Sequence, residues 1–316
     1  MKKFSLVMSV YAKESPAYFA QCLDSILSQT VTPDELIIVK DGPLTPSLES
    51  VLENFRFPNA LKIIALPENV TQGPARAEGV KAAGHEWVAI MDSDDICLPD
   101  RFEKQLKMIE NDGGLSLIGG QISEFVDYPA GETAATGIQP TPFNALSGCS
   151  DDHPARTDAT APAPAGRHGN IAGTPHIVAK RSVPTGHAAI VEFVKKRNPF
   201  NSMTVMMKRD LALAAGNYAY FPWFEDYDLW ARMIKSGARC ANHPDVLVYA
   251  RVSGGMYSRR RGISYIRSEL RMQKRLVELG FNGYIGYIGN IARRVPVRLL
   301  PEKGLKAAYN LFARRK

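Results

Sequence analysis

The chain has 316 residues, 45% of them hydrophobic and 22% charged, the ordinary balance of a soluble globular protein of one large or two small domains. No run of 18 or more apolar residues is present, so no membrane-spanning helix is expected. The net charge of +7 is uneven: residues 257–316 carry +12, from 15 Lys and Arg against 3 acids, and residues 1–256 carry −5, so the tail is expected to meet something anionic.

Strand and helix signals alternate through the first third. "FSLVMSVY" (4–11) alternates like a strand and is too short an apolar run for a signal peptide. Residues 16–29 place Phe19, Leu23, Ile26 and Leu27 at helical spacing. "ELIIVKDG" (35–42) is a short apolar run ending in a turn, 46–57 is helical, and 60–69 is another strand. Residues 73–84 form a helix stopped by Gly84, and "WVAIMD" (87–92) is the next strand. This alternation predicts an α/β fold with a Rossmann-like, mostly parallel sheet flanked by helices. Ligands of such sheets bind at the carboxyl ends of the strands, where Asp41 and Asp92 fall.

From Pro129 to Pro175 the composition changes. Ala, Gly, Pro and Thr supply 29 of 47 residues, too little apolar surface to offset the entropy of ordering, and a flexible insertion is expected. His153 and His168 lie there with nothing to hold them as metal ligands. Order resumes at "HIVAKRSV", with helix signals at 186–197 and 199–216. A further helix, at 221–237, is closed by Gly237. "DVLVYA" is the last body strand, followed by the basic, glycine-rich "RVSGGMYSRRRG" (251–262). Arg251 there reads either as a diphosphate contact or as part of a solvated loop. The four cysteines, Cys22, Cys97, Cys149 and Cys240, share no close spacing and read as reduced thiols.

The chemistry-bearing stretch is "MDSDD" (91–95). In an extended segment residues two apart face the same way, so Asp92 and Asp94 converge with no basic residue nearby in sequence. Such a pair invites Mg²⁺ or Mn²⁺, completed by water and phosphate oxygens; the other reading is a polar turn in which Asp95 caps a helix. Asp226 precedes a helix among Trp223, Phe224, Tyr227 and Trp230, where apolar surroundings raise a carboxylate's pKa toward that of a general base. Asp226 or Asp228 also reads as a helix cap.

Taken together, "SVY" (9–11), "VKDG" (39–42), "QGPARAEG" (72–79), "MDSDD" (91–95), "RNPFNSMTV" (197–205) and "FEDYDLW" (224–230) resemble family 2 glycosyltransferases, notably bacterial members that build exopolysaccharide and lipopolysaccharide sugars. The resemblance spans nearly the whole chain except the insertion. It implies the GT-A fold, a divalent metal (Mg²⁺ or Mn²⁺), and inversion at the transferred sugar. Ser9, Val10 and Tyr11 would line the nucleotide pocket, and Asp41 would accept hydrogen bonds from uracil or ribose. Arg76 would lie near the base or diphosphate, Asp92 would contact ribose or donor sugar, and Glu225 would join the substrate contacts. Asp94 would bind the metal and Asp226 would be the catalytic base. Three positions depart from the family pattern: Lys40 stands where Asp is frequent, Thr71 where Gly is frequent, and Ala77 where Asn is frequent. The Q-x-x-R-W motif of processive synthases is absent, which points to one sugar per acceptor.

In the tail, Ile263, Ile266, Leu270 and Val277 share one helical face, with Arg267, Arg271 and Lys274 or Arg275 on another; Leu305, Ala308, Tyr309 and Phe312 repeat the pattern. This reads as helices at an anionic membrane surface rather than a nucleic-acid-binding face, since no nucleic-acid motif accompanies it. The chain is therefore expected to have a nucleotide-sugar-binding half (1–128), the insertion (129–175), an acceptor and base half (176–256) and a membrane-associating tail (257–316), dispensable for nucleotide binding. The enzyme would be cytoplasmic, on the inner face of the plasma membrane. Its partners would be a nucleotide-sugar, UDP-linked by preference, and a lipid-linked or glycan acceptor. The rival readings are a metal-dependent nucleotidyltransferase, for which "SVYAKESP" is no triphosphate loop, and a non-enzymatic membrane- or nucleic-acid-binding module.

Overall fold

The computed structural model describes residues 2–127, 175–252 and 262–299; the expected insertion (129–175) apart from its last residue, most of the basic loop and the segment with Leu305 and Phe312 lie outside them. Four parallel strands form one half of the sheet, in the order β3 (Ala60–Ala65), β2 (Glu35–Lys40), β1 (Phe4–Val10) and β4 (Trp87–Asp92). The alternation of β1 divides two cores. Leu6 and Met8 pack with α1 (Pro16–Leu27), α2 (Pro46–Asn54) and α4 (Arg101–Asn111), while Val7 packs with α3 (Gln72–Ala82) on the opposite face. Both faces being covered, β1, β2 and β4 read as continuous apolar runs. Ser15 and Thr45 cap α1 and α2 by accepting the amides of Tyr18 and Leu48, each with proline in the first turn.

The second half of the same sheet is mixed. β8 (Met206–Lys208) lies antiparallel to β4, and β6 (Leu117–Val126) antiparallel to β8. β9 (Cys240–Arg251) runs parallel to β6, β5 (Ile96–Cys97) pairs with β9, and β7 (His176–Arg181) pairs with β6. The two segments expected to act as halves thus share one continuous sheet, with β8 inserted between β4 and β6. The helical signal at 199–216 is corrected accordingly. It contains a 3₁₀ turn (Ser202–Thr204), then β8, and only then the short helix α6 (Arg209–Ala214). Met206 and Met207 are fully buried, on opposite faces of the sheet, a setting that overrides helical spacing.

The other helices on the α3 side are α5 (His187–Val194) and α7 (Glu225–Lys235), joined by α8 (Gly262–Glu278) and α9 (Tyr284–Leu299) of the tail. Here the face expected of residues 263–279 is corrected. The buried positions are Tyr265, Glu269, Met272, Gln273 and Leu276, and Ile263 is exposed. Met272 and Leu276 complete the core around Trp230 and Met233. Two arginines of the tail are spent internally. Arg275 donates to the buried Asp228 at 3.0 Å, and Arg294 to the buried Glu269 at 2.6 Å. The apolar pattern alone misses this face because two of its five members are polar residues with partners inside the protein.

It follows that α8 is part of the body. Met272→Ala is expected to cost ~2–5 kcal/mol in denaturant melts. A chain ending at residue 256 is expected to lose the cooperative transition of the full-length protein; an unchanged midpoint contradicts this role.

Candidate active site

β1 is the switch point of the parallel half: β2 pairs to one side of it and β4 to the other. Register places Ser9 beside Asp92, and Val10 beside Lys40, at the carboxyl edge. Tyr11 follows, 36% exposed. Asp41 continues β2, its amide donating to the Val10 carbonyl at 2.8 Å. Its carboxylate accepts from Asn69 Nδ2 at 2.9 Å and from the Val70 amide at 2.7 Å, which pins the 68–71 loop to the strand end. Burial pushes the Asp41 carboxyl up, opposed by the amides of Val70 and Thr71. Gly42, at φ +83°, makes the turn possible: a Cβ there would stand 2.8 Å from the Asn69 nitrogen.

The carboxylates do not face a surface free of cations. Two arginines distant in sequence are folded in among them. Arg76, in α3, has a side chain only 1% exposed and binds Asp92 through Nη2 and Asp226 through Nη1, the latter at 3.0 Å. Burial alone would lower its pKa; Asp92 and Asp226 hold it above its ordinary value. The guanidinium, expected near the base or diphosphate, is buried where it joins the end of β4 to the start of α7. Gln72 sits beside this junction, and its amide is best satisfied with the nitrogen 3.2 Å from Glu225 and the oxygen 2.7 Å from Arg76.

Asp226 keeps a 19% exposed side chain. Burial raises its pKa, while Arg76 and Ser202 pull it back. The next largest charge on it, Asp92, adds to the rise. Glu225 is pushed to about 7 by burial and by Asp226. Neither residue caps α7, whose N-cap position is Phe224 with no side-chain hydrogen bond. Asp228 is committed to Arg232 and Arg275.

Arg251, the second arginine, stacks 3.9 Å from the Tyr18 ring and 4.6 Å from that of Phe125. Its guanidinium ion-pairs with Asp127 and donates to Gln21 Oε1 at 2.7 Å and to the Asp94 carbonyl at 2.8 Å. Its backbone amide donates to Asp95 at 2.7 Å. Arg251, read from the sequence as a diphosphate contact or part of a solvated loop, is buried and braces the turn that carries Asp94. Asp94 makes no carboxylate ion pair among the described residues. Burial, then Asp92 and Glu14, push it to about 7. Asp95 is pushed well above the usual range by burial and by Asp94, and one of its oxygens has no hydrogen-bond partner among the described residues.

The fold therefore brings together Ser9, Arg76, Asp92, Asp94, Glu225 and Asp226. Asp41 and Tyr11 stand at the neighbouring strand ends. Gln21, Gln72, Asn69 and Asp127 are not legible as site residues in the sequence; of these only Asn69, in the turn after a strand, carries a local signal. Arg251→Lys keeps the charge but loses the fork and the stack. It is expected to cost ~2 kcal/mol or more in denaturant melts, and to weaken nucleotide binding through the 92–95 turn; unchanged melting and binding would show the brace to be idle.

The glycosyl transferase family 2 model matches residues 5–146. An uncharacterized glycosyltransferase of Haemophilus influenzae is 37% identical, over 99% of this chain and all of its own length. The UDP-Gal:alpha-D-GlcNAc-diphosphoundecaprenol beta-1,3-galactosyltransferase of Escherichia coli is 30% identical, over 99% of this chain and 97% of that one. Among solved structures, the mannosyltransferase PcManGT of Pyrobaculum calidifontis, with GDP-Man and Mn²⁺, superposes with a TM-score of 0.57 at 14% identity, covering 99% of this chain and 80% of that one. The chain belongs to glycosyl transferase family 2 and is a glycosyltransferase with the GT-A fold.

Proposed function

We propose that this enzyme moves one sugar from a nucleoside diphosphate sugar, a UDP-sugar, to a hydroxyl of a lipid-linked or polysaccharide-building glycan, with inversion. The observation that carries this is the Arg76 bridge. It sets a donor-side carboxylate, Asp92, and a partly exposed carboxylate of raised pKa, Asp226, on one guanidinium at the carboxyl edge. A donor of this kind already has a diphosphate leaving group, so the protein must hold the donor, orient the acceptor and take one proton. Ser9, Val10 and Tyr11 wall the nucleotide pocket, and Asp41 meets base or ribose with its remaining lone pairs. Asp92 holds the ribose or donor sugar. Asp226 accepts the proton of the acceptor hydroxyl as that oxygen attacks the anomeric carbon from the side opposite the diphosphate. The acceptor class is supported by the activity named for the E. coli relative.

The residues fit a divalent cation, Mg²⁺ or Mn²⁺. No set of three or more His, Cys, Asp or Glu among the described residues forms a ready-made cage. Asp94, half-buried and without an ion-pair partner among the described residues, suits a site of one carboxylate completed by water and diphosphate oxygens. When bound there the ion would neutralise charge on the leaving diphosphate.

The tail is proposed to rest on an anionic membrane surface. With α8 spent on the core, the supporting feature is α9. Tyr284, Ile285 and Ile288 are 78%, 90% and 63% exposed, and Arg293 is exposed on the same helix. Among the described residues no helix is long and apolar enough to cross a membrane.

Asp226→Asn is expected to lower kcat by roughly 10²-fold or more with donor affinity unchanged; retained turnover would move the base to Glu225. The base works ionised and its folded pKa is raised, so the acid limb of kcat should lie above the ordinary carboxylate range, kcat falling as pH drops through it. Protons should compete with the cation at Asp94 as pH falls through about 7. Asp94→Asn should abolish cation-dependent UDP binding, and transfer undiminished by a chelator would contradict the metal reading. Ile285→Glu with Ile288→Glu should lose co-sedimentation with anionic vesicles, which high salt should also release. Equal partitioning of wild type and variant would leave α9 without this role.

A further inference from the structure

A cavity of about 390 Å³ lies between the turn at residues 71–73 and the segment 220–225, bordered by Glu225. This volume falls in the range of small-molecule pockets, about 300–1,000 Å³. None of Tyr11, Asp41 and Asp94, the nucleotide-side residues, lines it. It opens instead beside the residue that precedes Asp226, so whatever occupies it lies next to the base.

Two features mark the walls as built for a ligand. Three non-glycine residues among those described have positive φ, and two of them, Thr71 at +74° and Trp223 at +66°, line this cavity. A β-branched residue and a bulky aromatic are the residue types least suited to that region. Strain of this kind persists only where the surroundings enforce it, and it gathers at functional sites. The enforcement is visible. Trp223 is tilted against Tyr265 of α8, with ring centroids 5.5 Å apart, and a Cβ added to Gly73 would stand 2.8 Å from the Ala219 carbonyl, so the walls meet at their base without slack. The second feature is composition. Trp223 and Tyr220 remain 44% and 59% exposed, large aromatic faces left toward solvent. The amide of Gln72 and the carboxyl of Glu225, both hydrogen-bonding groups, share the lining.

We infer that this cavity is the subsite for the acceptor's terminal sugar, a pyranose ring lying with its C–H face on Trp223 and Tyr220 and its hydroxyl edge toward Glu225 and Gln72. The inference rests on the glycosyltransferase reading and adds the acceptor's place within it. A pyranose matches the walls because it is apolar on its faces and a hydrogen-bonding ring at its edge. Occupied in this way, the cavity carries a ring hydroxyl past Glu225 to Asp226. The tail takes part indirectly, because α8 supplies the tyrosine behind Trp223.

The tryptophans provide a selective probe. Of the three, Trp87 and Trp230 are fully buried, so acrylamide quenching reports on Trp223. The probes are soluble alkyl diphosphates carrying N-acetylglucosamine, N-acetylgalactosamine, glucose or galactose, and, separately, UDP and UDP-sugars. At least one alkyl-linked sugar is expected to protect Trp223 from quenching, and UDP or a UDP-sugar alone is not. Trp223→Gly removes the ring and suits the positive φ, so it should fold with a Tm at or near that of the wild type. It should raise the acceptor KM roughly 10-fold and leave the donor KM unchanged, with Trp223→Phe intermediate. Protection by UDP-sugar alone, protection by none of the alkyl-linked sugars, or an unchanged acceptor KM in Trp223→Gly overturns the subsite. A wild-type enzyme that transfers no sugar to any acceptor overturns the glycosyltransferase reading itself, before any variant is made.

Discussion

A guanidinium buried among carboxylates is the constraint on which the site depends. Arg76 has almost no contact with water, and removing an ion from water costs several kcal/mol even after relaxation. It is tolerable only because Asp92 and Asp226 are brought to it. One ends β4, the other opens α7, and both must reach the first turns of α3. The mixed half of the sheet does this. β8 is threaded beside β4, the 3₁₀ turn before it sets Ser202 next to Asp226, and α6 leads the chain back toward α3, where Asn217 donates to the Ala77 carbonyl at 3.0 Å. The stretch between β7 and α7 is thus what aligns Asp226, the proposed base, with Asp92, the proposed donor-side carboxylate.

The charge balance around this junction has a chemical result. Arg76 answers Asp92 and Asp226, and Arg251 answers Asp127 and the amide-bound Asp95. Asp94 and Glu225 make no ion pair among the described residues, and burial and neighbouring carboxylates push both to about 7. Each lies on a different side of the Arg76 bridge, Asp94 toward the proposed diphosphate position and Glu225 toward the proposed acceptor subsite. In the proposed function these two carboxylates face two different ligands, with the Arg76 bridge between them holding the reacting groups in one frame.

The parallel half of the fold was legible because its strands are short, apolar and separated by helices of clean spacing; Asp41 and Asp92 fell at strand ends as the pattern required. What escaped were arrangements settled by distant partners. Nothing in the sequence pairs Arg76 with Asp226 until the fold brings them together, and Arg251 reads as a loop cation until Tyr18 and Phe125 enclose it. The buried face of α8 escaped because Glu269 and Gln273 belong to it, satisfied by Arg294 and Asn290. Met206 and Met207 were assigned to a helix because a three-residue strand has too little length for its period to show. Thr71 offers the opposite lesson: a residue out of place against the family pattern proved to hold a glycine-like conformation beside a cavity.

The central claim is that Arg76 couples the donor-side carboxylate to the base. The pH dependence of kcat for Arg76→Gln, in protein shown by circular dichroism to be folded, tests it most directly. Removing the charge that lowers the Asp226 pKa should move the acid limb of the profile to higher pH. An acid limb unchanged from wild type, with kcat preserved, would contradict the coupling and leave Arg76 a packing residue.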